Sequence, residues 1–456
     1  MSPVPEPFFP NTNEYFKVPQ TPGLSDVELY DHYLQHTSRT LSPCQSDYNV
    51  MYMGMPKLAQ QSETVLHAIL AVAAADIAWN MISDGKPAEF EAVAQALLTG
   101  YQHYNLASEQ MRQAIVTPGS FEPEPLIAST LMLIPFATAS QQVNHWLSSR
   151  SGATNSCKPL SSTPRDVIVI MRGVRAMLQA ADDVDSGTII DPFPKAKEEL
   201  SDSYSSVADT PIFAVPAQSR KHLMSAIVST TSRAAFAGLQ NRLDFALLHD
   251  QNCSYHSLLA CTAAFANLKT IRKAAFDVDA MNRTPGTTPP TQLPSPGMDF
   301  GGPEIASASS IAPWLRSFAA QFCVASSVDL QPTEPLTRFF LSFYIQAPQE
   351  YLDVVLPLLD QRLESPIDRF PSGLPTELTQ TQALALDIYA HWSVLMILVE
   401  EESWWIGTLP EVTLSGMLNR FGDDFVSKVW PANGVAKGEW WPGKMLSILR
   451  DIKKYR

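Results

Sequence analysis

The sequence predicts an all-α protein, and three observations support this prediction. Alanine and leucine, both strong helix formers, dominate the apolar segments. Apolar residues recur at helical spacing along most of the chain. Alternating strand patterns are nearly absent, and the β-branched residues at 167–170 lie inside a helical segment. We therefore predict one multi-helix domain over residues 25–456, with two loose surface insertions.

The predicted helices follow one another along the whole domain. Ser25 and Asp26 form a suitable N-terminal cap for the first helix. The spacing of apolar residues and the positions of proline and glycine define the others. Helices are predicted over residues 27–41, 63–82, 88–116, 125–140, 165–181, 220–237, 254–276, 311–326, 336–345, 349–363 and 379–402.

Three segments are predicted to lie outside the helices. Residues 1–24 are rich in proline, which predicts an extended arm. Residues at about 141–164 are rich in serine, glycine and asparagine, and this composition is typical of a flexible insertion. Residues at about 284–303 are half proline and glycine, which predicts a second surface insertion.

The charge balance argues against nucleic-acid binding by this chain. The formal net charge is −14, whereas phosphate backbones are bound by concentrated lysine and arginine. The basic clusters are short, at 220–221 and 453–456. We therefore expect no direct contact with DNA.

Metal, cofactor and membrane signals are also weak. The five cysteines are scattered without a CxxC pair, so neither a zinc ribbon nor a disulfide framework is expected. The motifs GxSxG, GxGxxG and GxxxxGK[ST] do not occur, and we predict no cofactor. The apolar run at 383–399 contains Asp387 and His391 and is too short and polar to span a bilayer. We expect an intracellular protein, in the nucleus or cytoplasm.

Tryptophan is concentrated near the end of the chain. Six of the nine tryptophans lie between Trp392 and Trp441. Large aromatic side chains at this density form either the wall of an apolar pocket or the anchor of the last helices. The candidate ligand-binding residues are Trp392, Met396, Trp404, Trp405, Trp440, Trp441 and Met445.

Two polar residues are weak candidates for a catalytic role. Asp76 shares a helical face with apolar residues, where a desolvated carboxyl group is suited to donating a proton. The alternatives are a buried aspartate paired with Arg172 or another cation, or an aspartate at a helix edge. His391 lies beside the tryptophan-rich segment and is the second candidate donor.

Two further polar groups have simpler interpretations. His32 and His36 have the i, i+4 spacing that suits a metal. No third ligand is evident, so structural or surface histidines are the better interpretation and no metal site is predicted. The acidic triplet at 400–402 is interpreted as a solvated helix end, with contact to a ligand's polar group as the alternative.

Several motifs, taken in order, resemble a known family. LYDHYLQHTSRTLS (29–42), VLHAILAVAAADIAW (65–79), YQHYNLASEQMRQAI (101–115) and VIMRGVRAML (169–178) resemble the effector domain of fungal zinc-cluster transcription regulators. WSVLMILVEEESWWIGTLP and WWPGKML are similar to the C-terminal signature of the sterol uptake control branch. The resemblance covers roughly residues 25–450 and implies an effector-type domain with a pocket for a hydrophobic ligand.

The sequence departs from that family in two places. The six-cysteine zinc cluster and basic linker that bind DNA in the family are missing from this sequence. Asp76 stands where the family commonly has a histidine after an alanine-rich run.

Three functional hypotheses follow. The first is a regulatory protein that binds a hydrophobic small molecule (sterol, terpenoid or polyketide-like) and acts through a regulator partner protein without contacting DNA. The second is a cofactor-independent enzyme of secondary metabolism, a pericyclase or Diels-Alder type cyclase, in which the cavity templates cyclisation of a terpenoid or polyketide. The third is a fragment of a longer regulator. We favour the first.

Overall fold

The computed structural model describes residues 24–84, 88–116, 122–150, 164–185, 222–249, 255–276, 311–323, 336–360, 378–422, 424–430 and 440–455. Within these ranges the chain forms helices and turns and no β-strand, so the predicted all-α fold is confirmed. The predicted arm, apart from Leu24, and the predicted insertion at 284–303 lie outside the described residues.

The N-terminal half of the domain contains ten helices among the described residues. They are α1 (Asp26–His32), α2 (Ser38–Thr40), α3 (Gln45–Asn49), α4 (Met55–Ala59), α5 (Glu63–Ser83), α6 (Phe90–Val116), α7 (Pro123–Arg150), α8 (Pro164–Asp185), α9 (Ser225–His249) and α10 (Tyr255–Phe276). Short π-helical segments, Tyr33–Thr37 and Val50–Gly54, connect α1 to α2 and α3 to α4.

The remaining helices form the C-terminal half. They are α11 (Pro313–Cys323), α12 (Leu336–Gln346), α13 (Gln349–Asp360), α14 (Gln380–Ile397), α15 (Leu409–Phe421), α16 (Phe425–Val429) and α17 (Trp441–Lys454). The short helices α3 and α4 and the C-terminal helices α15, α16 and α17 were not predicted from the sequence.

Helix α5 forms one centre of the core, between α6 and α7. Its alanine-rich middle is buried on all sides from Ala68 to Ala75, so small side chains let the neighbouring helices approach closely. One close approach is at Gly100 of α6, where an added Cβ would lie 2.9 Å from the ring of Phe136 and 3.3 Å from the carbonyl oxygen of Ala71. Glycine is therefore required at this helix crossing.

Helix α7 is longer than predicted, and this corrects the first predicted insertion. Residues 141–150 continue the helix to Arg150 rather than forming a loop. Gln142 and Asn144 are buried there, and the Asn144 amide donates a hydrogen bond to the Tyr101 hydroxyl at 2.8 Å. The polar residues of this stretch indicated a loop because the sequence does not show that their hydrogen-bond partners lie on other elements. The rest of the predicted insertion, 151–163, lies outside the described residues.

Helix α14 forms the second centre and packs against helices α9, α10, α12, α13, α15, α16 and α17. A capping box starts it: the Thr379 hydroxyl accepts from the Gln382 backbone N–H, and the Gln382 side chain accepts from the Thr379 N–H. All residues from Ala383 to Ile397 are buried. The helix ends at Ile397, and turns lead to α15, so the helix predicted to end at residue 402 was too long.

Two described helices, α5 and α7, are long and apolar enough to cross a membrane by length and composition alone. Most of the apolar window of each is buried within the domain, 61% in α5 and 94% in α7. Such burial is typical of the core helices of a folded domain.

Candidate ligand-binding cleft

A cleft lies where α7, α8, α12, α14 and α15 meet. Its apolar lining is Val167, Leu341, Trp392, Met396, Ile406, Leu409 and Pro410, and its polar lining is Thr138, Gln141, Tyr344, Tyr389, Ser393 and Thr413. The cleft contains about 410 Å³ of empty space including its open mouth, and the centre of a water molecule can occupy about 20 Å³ of it. That inner space holds about one water-sized group.

One face of α14 forms the aromatic wall of the cleft. Tyr389, Trp392, Ser393 and Met396 have the i, i+3, i+4 and i+7 spacing that places side chains on the same side of a helix. The Trp392 ring lies 4.5 Å from the Tyr344 ring and 5.1 Å from the Tyr389 ring, between centroids. Its indole N–H donates to the Phe340 carbonyl at 2.8 Å, which fixes the ring orientation.

Two tyrosines of the cleft lining, Tyr344 of α12 and Tyr389 of α14, are joined through their hydroxyl groups. The Tyr344 and Tyr389 oxygens lie 2.6 Å apart. Burial, together with the neighbouring Tyr389, raises the pKa of Tyr344 well above its usual value. Tyr344 is therefore a neutral hydrogen-bonding group at physiological pH and not a nucleophilic phenolate.

Gln142 holds the segment that closes one side of the cleft. Its amide nitrogen donates to the Trp405 carbonyl at 2.7 Å, and its amide oxygen accepts from the Thr408 backbone N–H at 2.9 Å. Ile406, between these two residues, lines the cleft. The turn after α14 is thereby attached to α7 by side-chain bonds to its backbone.

Of the candidate ligand-binding residues, the structure places Trp392 and Met396 in the cleft and the other five elsewhere. The Trp405 indole N–H donates to the Leu41 carbonyl at 3.1 Å, and that of Trp441 donates to the Thr231 hydroxyl at 2.9 Å. The Met445 sulfur lies 4.0 Å from the same hydroxyl. Trp404 packs against the core. For these residues the anchoring interpretation fits the structure.

Trp440 belongs to a buried polar network centred on Asp387. One Asp387 oxygen accepts from the Trp440 indole at 2.8 Å, and the other lies 2.6 Å from the Arg242 guanidinium. His391 Nδ1 lies 2.8 Å from the Asp387 carbonyl oxygen and 3.2 Å from the carboxylate. Burial alone would raise the pKa of Asp387, but Arg242, His391 and Trp440 outweigh it and hold that pKa well below its ordinary value. The network ties α14 to α9 and α17.

His391, one candidate donor, lies inside this network and does not line the cleft. Its Nδ1 faces two acceptors and therefore carries a hydrogen. Its Nε2 is buried and makes no hydrogen bond within the described part of the chain. The rings of Phe236 and Trp441 lie 5.5 and 5.1 Å from the imidazole, between centroids.

Asp76, the other candidate donor, is also absent from the cleft lining. It is buried and accepts hydrogen bonds from the Thr37 hydroxyl at 2.7 Å and the Asn80 amide at 3.2 Å, and its carboxylate lies 3.0 Å from His32 Nε2. The predicted alternative of a partnered buried aspartate fits, but Arg172 is not the partner. The Arg172 side chain donates to the Ala347 carbonyl at 3.0 Å.

The histidine pair His32 and His36 forms a stack on the first helical segment, with ring centroids 5.0 Å apart. His32 Nε2 is engaged with Asp76. Across the described residues, no group of three or more histidine, cysteine, aspartate or glutamate side chains is placed to hold a metal ion.

The acidic triplet is not simply a solvated helix end, which corrects that prediction. Glu400 is nearly buried and lies 3.1 Å from His222 Nε2 and 2.9 Å from Lys453 Nζ. The Met224 N–H donates to His222 Nδ1, so His222 Nε2 carries the hydrogen that faces Glu400. Glu402 accepts from the Thr337 N–H and hydroxyl at 3.2 and 3.1 Å. Sequence spacing did not reveal these contacts because the partners lie 53 to 178 residues away for Glu400 and 65 for Glu402.

We expect Glu400→Gln to lower the free energy of unfolding by about 1–3 kcal/mol at neutral pH, because His222 and Lys453 lose a charged acceptor. Burial raises the pKa of Glu400, but His222 and Lys453 lower it more, so its net shift is downward; the pKa of Lys453 is raised despite burial. The contribution of Glu400 to the free energy of unfolding is thus complete above its ordinary pKa of 4.5. It is lost as the pH falls through the lower pKa that Glu400 has in the folded protein. The Lys453 contribution is complete below 10.5 and lost as the pH rises further.

Urea unfolding of the wild type and Glu400→Gln across this pH range measures the difference. The difference in unfolding free energy between the two proteins should be largest between pH 4.5 and pH 10.5 and smaller outside this range. Glu109→Gln removes an exposed pair with Arg112 and serves as the control, with an expected change within about 0.5 kcal/mol. A gap that stays constant in strong acid would contradict the assignment.

Sequence reasoning missed most of the cleft lining. Thr138 and Gln141 stand out in hindsight as polar residues within the apolar helix α7, and Tyr389 and Ser393 share the helical face of Trp392 and Met396. Both patterns are visible in the sequence and mark residues that could line a pocket. No local sequence pattern marks Tyr344 and Thr413, because only tertiary packing brings α12 and α15 to α14.

Comparison with known proteins adds one finding. Residues 28–171 match the fungal specific transcription factor domain family. No curated protein and no solved structure matches the chain. The matched residues run from α1 into α8 and include Thr138, Gln141 and Val167 of the cleft. The match supports a domain of the fungal transcription-factor type and a regulator-type role.

Proposed function

We propose that this protein is a regulatory helical domain that binds a neutral hydrophobic small molecule in the cleft and acts through a partner protein without contacting DNA. One observation carries the proposal. The cleft is lined both by Thr138, Gln141 and Val167, which lie within the family-matched residues, and by α14 and α15 of the C-terminal half. A bound molecule would therefore touch both halves of the domain at once.

This position gives a ligand a means of controlling the domain. A ligand that fits one arrangement of two packed halves stabilises that arrangement by mass action. Gln142 already links α7 to the turn that carries Ile406. Occupation of the cleft would act directly on this link and hence on the surface presented to a partner.

The composition of the cleft indicates the class of ligand. Aromatic and aliphatic side chains form most of its wall, and its described lining contains no charged side chain. A sterol, terpenoid or polyketide-like molecule suits such a wall. Because the inner space holds about one water-sized group, the apolar body of the ligand would lie in the open part or displace the walls. We propose a sterol-regulator role on the same grounds.

The net charge of −14 favours action through a protein partner over direct DNA binding by this chain. We propose accordingly that the protein acts inside the cell, in the nucleus or cytoplasm. The enzyme hypothesis gains nothing from the cleft, since neither Asp76 nor His391 lines it.

Native mass spectrometry of the protein purified from a fungal host tests the proposal. We expect a co-purifying small molecule on the wild type and its loss in Ser393→Leu. That change adds two heavy atoms at the cleft wall, comparable to the space for one water-sized group. Filling a cavity of this size leaves stability unchanged or raises it by about 0.5–1 kcal/mol.

Ser447→Leu provides the matched control, because Ser447 is exposed on α17 and outside the cleft lining. It should retain the molecule. Equal occupancy in the wild type and Ser393→Leu, with both folded, would show that the ligand binds elsewhere. A protein that never co-purifies with or takes up an apolar molecule would refute ligand sensing.

A further inference from the structure

We propose that the cleft selects a neutral alcohol and that Thr413 is the residue that recognises its hydroxyl group. This inference rests on the proposed function and names the chemistry of the ligand. Thr413 lines the cleft and is only 6% exposed. Among the described residues, its hydroxyl makes no hydrogen bond. A hydroxyl group that faces the cleft without a protein partner can exchange hydrogen bonds with a bound ligand.

Another hydroxyl group on α15 is already committed to its own backbone. On the same helix, the Ser415 hydroxyl donates to the Glu411 carbonyl at 2.6 Å. This i→i−4 bond is the usual choice of a helical serine or threonine. The corresponding bond from Thr413 to Leu409 is not made, which leaves both the hydrogen and the lone pairs of Thr413 for a ligand.

Two other hydroxyl groups of the cleft constrain what a ligand group beside them must offer. The Thr138 hydroxyl donates to the Ile134 and Pro135 carbonyls, both at 3.0 Å, and the Ser393 hydroxyl donates to the Tyr389 carbonyl at 2.9 Å. Each has used its only hydrogen and presents acceptor lone pairs. A ligand group that meets them must therefore donate a hydrogen bond.

A hydroxyl group satisfies both requirements, since it accepts from Thr413 and donates to an acceptor oxygen in the same cleft. A ketone or ester only accepts. A carboxylate or ammonium group would bring a charge next to a lining that contains no charged side chain, and burial of an unpaired charge is costly. The inner space for about one water-sized group also matches a single hydroxyl.

A pair of shape-matched probes tests this inference: 2-naphthol and 2-methylnaphthalene, in which a methyl group replaces the hydroxyl. Dissociation constants are measured at pH 7 for the wild type, Thr413→Val and Thr413→Ser. We expect the wild type to prefer 2-naphthol about tenfold, and Thr413→Val to weaken 2-naphthol binding about 5- to 10-fold, the effect of one neutral hydrogen bond. Binding of 2-methylnaphthalene should be unchanged in Thr413→Val, and Thr413→Ser should keep the preference.

The possible failures are distinguishable. If the wild type binds both probes equally, or Thr413→Val weakens both equally, the role of Thr413 is wrong while ligand binding in the cleft stands. If neither probe binds and Ser393→Leu changes nothing in the co-purification experiment, the proposed function itself fails. Thermal unfolding of each variant verifies that valine and serine, both close in size to threonine, leave the fold intact.

Discussion

Replacing Asp387 with asparagine is expected to lower the free energy of unfolding by about 3–5 kcal/mol, the usual cost of breaking a buried ion pair by removing one partner. The carboxylate is fully buried and accepts from the Arg242 guanidinium and the Trp440 indole. Asparagine leaves the guanidinium with a neutral partner in the core. The same substitution loosens α14 from both α9 and α17. Chemical denaturation of the two proteins measures the change.

Asp424→Asn is the matched control for this substitution. Asp424 pairs with Lys428 at 2.7 Å, but both side chains are at least half exposed. The expected change is therefore within about 0.5 kcal/mol. If Asp387→Asn proved equally mild, the network would not stabilise the fold.

The pH dependence of the Asp387 effect follows from its depressed pKa. A carboxyl group of this kind contributes stability above its unfolded pKa, 3.8, and loses the contribution as the pH falls through the lower folded value. The gap between wild type and Asp387→Asn should thus be constant from neutral pH to about pH 4. It should close only in stronger acid.

Replacing Gly407 with alanine is expected to destabilise the domain by about 3 kcal/mol. Gly407 has a φ of +39°, a left-handed conformation that costs other residues free energy. An added Cβ would lie 2.2 Å from the Gln142 amide oxygen and 2.9 Å from the Trp404 carbonyl oxygen. The substitution therefore strains the backbone and displaces the Gln142 side chain that holds the wall of the cleft.

Gly173→Ala is the control with the opposite expected sign. Gly173 lies within α8, and an added Cβ would meet no atom within 4 Å other than its chain neighbours and the adjacent backbone of its own helix. Alanine in a helix is favoured over glycine by up to about 1 kcal/mol. Thermal unfolding should place Gly173→Ala above the wild type and Gly407→Ala below it. Equal stability of Gly407→Ala and the wild type would contradict the close approach of Gln142.

The helices of this fold were predictable from local pattern wherever they are long and rich in alanine and leucine. The capping box at Thr379 and Gln382 and the alanine run of α5 are signals of this local kind. Residues 141–150 misled because Gln142 and Asn144 satisfy their polar groups through Trp405 and Tyr101, which no local pattern shows. Helix α17 was missed because its start, Trp441–Pro442–Gly443, lacks an ordinary capping residue.

The cleft was predictable only in part, for a physical reason. The density of tryptophan drew attention to Trp392, whose ring forms part of the wall. The density of tryptophan does not distinguish residues that line a pocket from residues that anchor the last helices. Each of Trp405, Trp440 and Trp441 donates its indole N–H to a partner far away in the sequence, which only the structure shows. Burial of an aromatic ring is common to both roles, and only the tertiary partner of its polar end distinguishes them.

The most direct test of ligand binding in the cleft uses two methionines that the sequence marked together. Met396 lines the cleft, whereas Met445 is buried outside it. Methyl-labelled methionine resonances, assigned with Met396→Leu and Met445→Leu, are followed by NMR during titration with 2-naphthol. We predict a saturable shift of the Met396 methyl resonance with Met445 unchanged. A shift at Met445 without one at Met396, or no saturable shift at either, would contradict binding in the cleft.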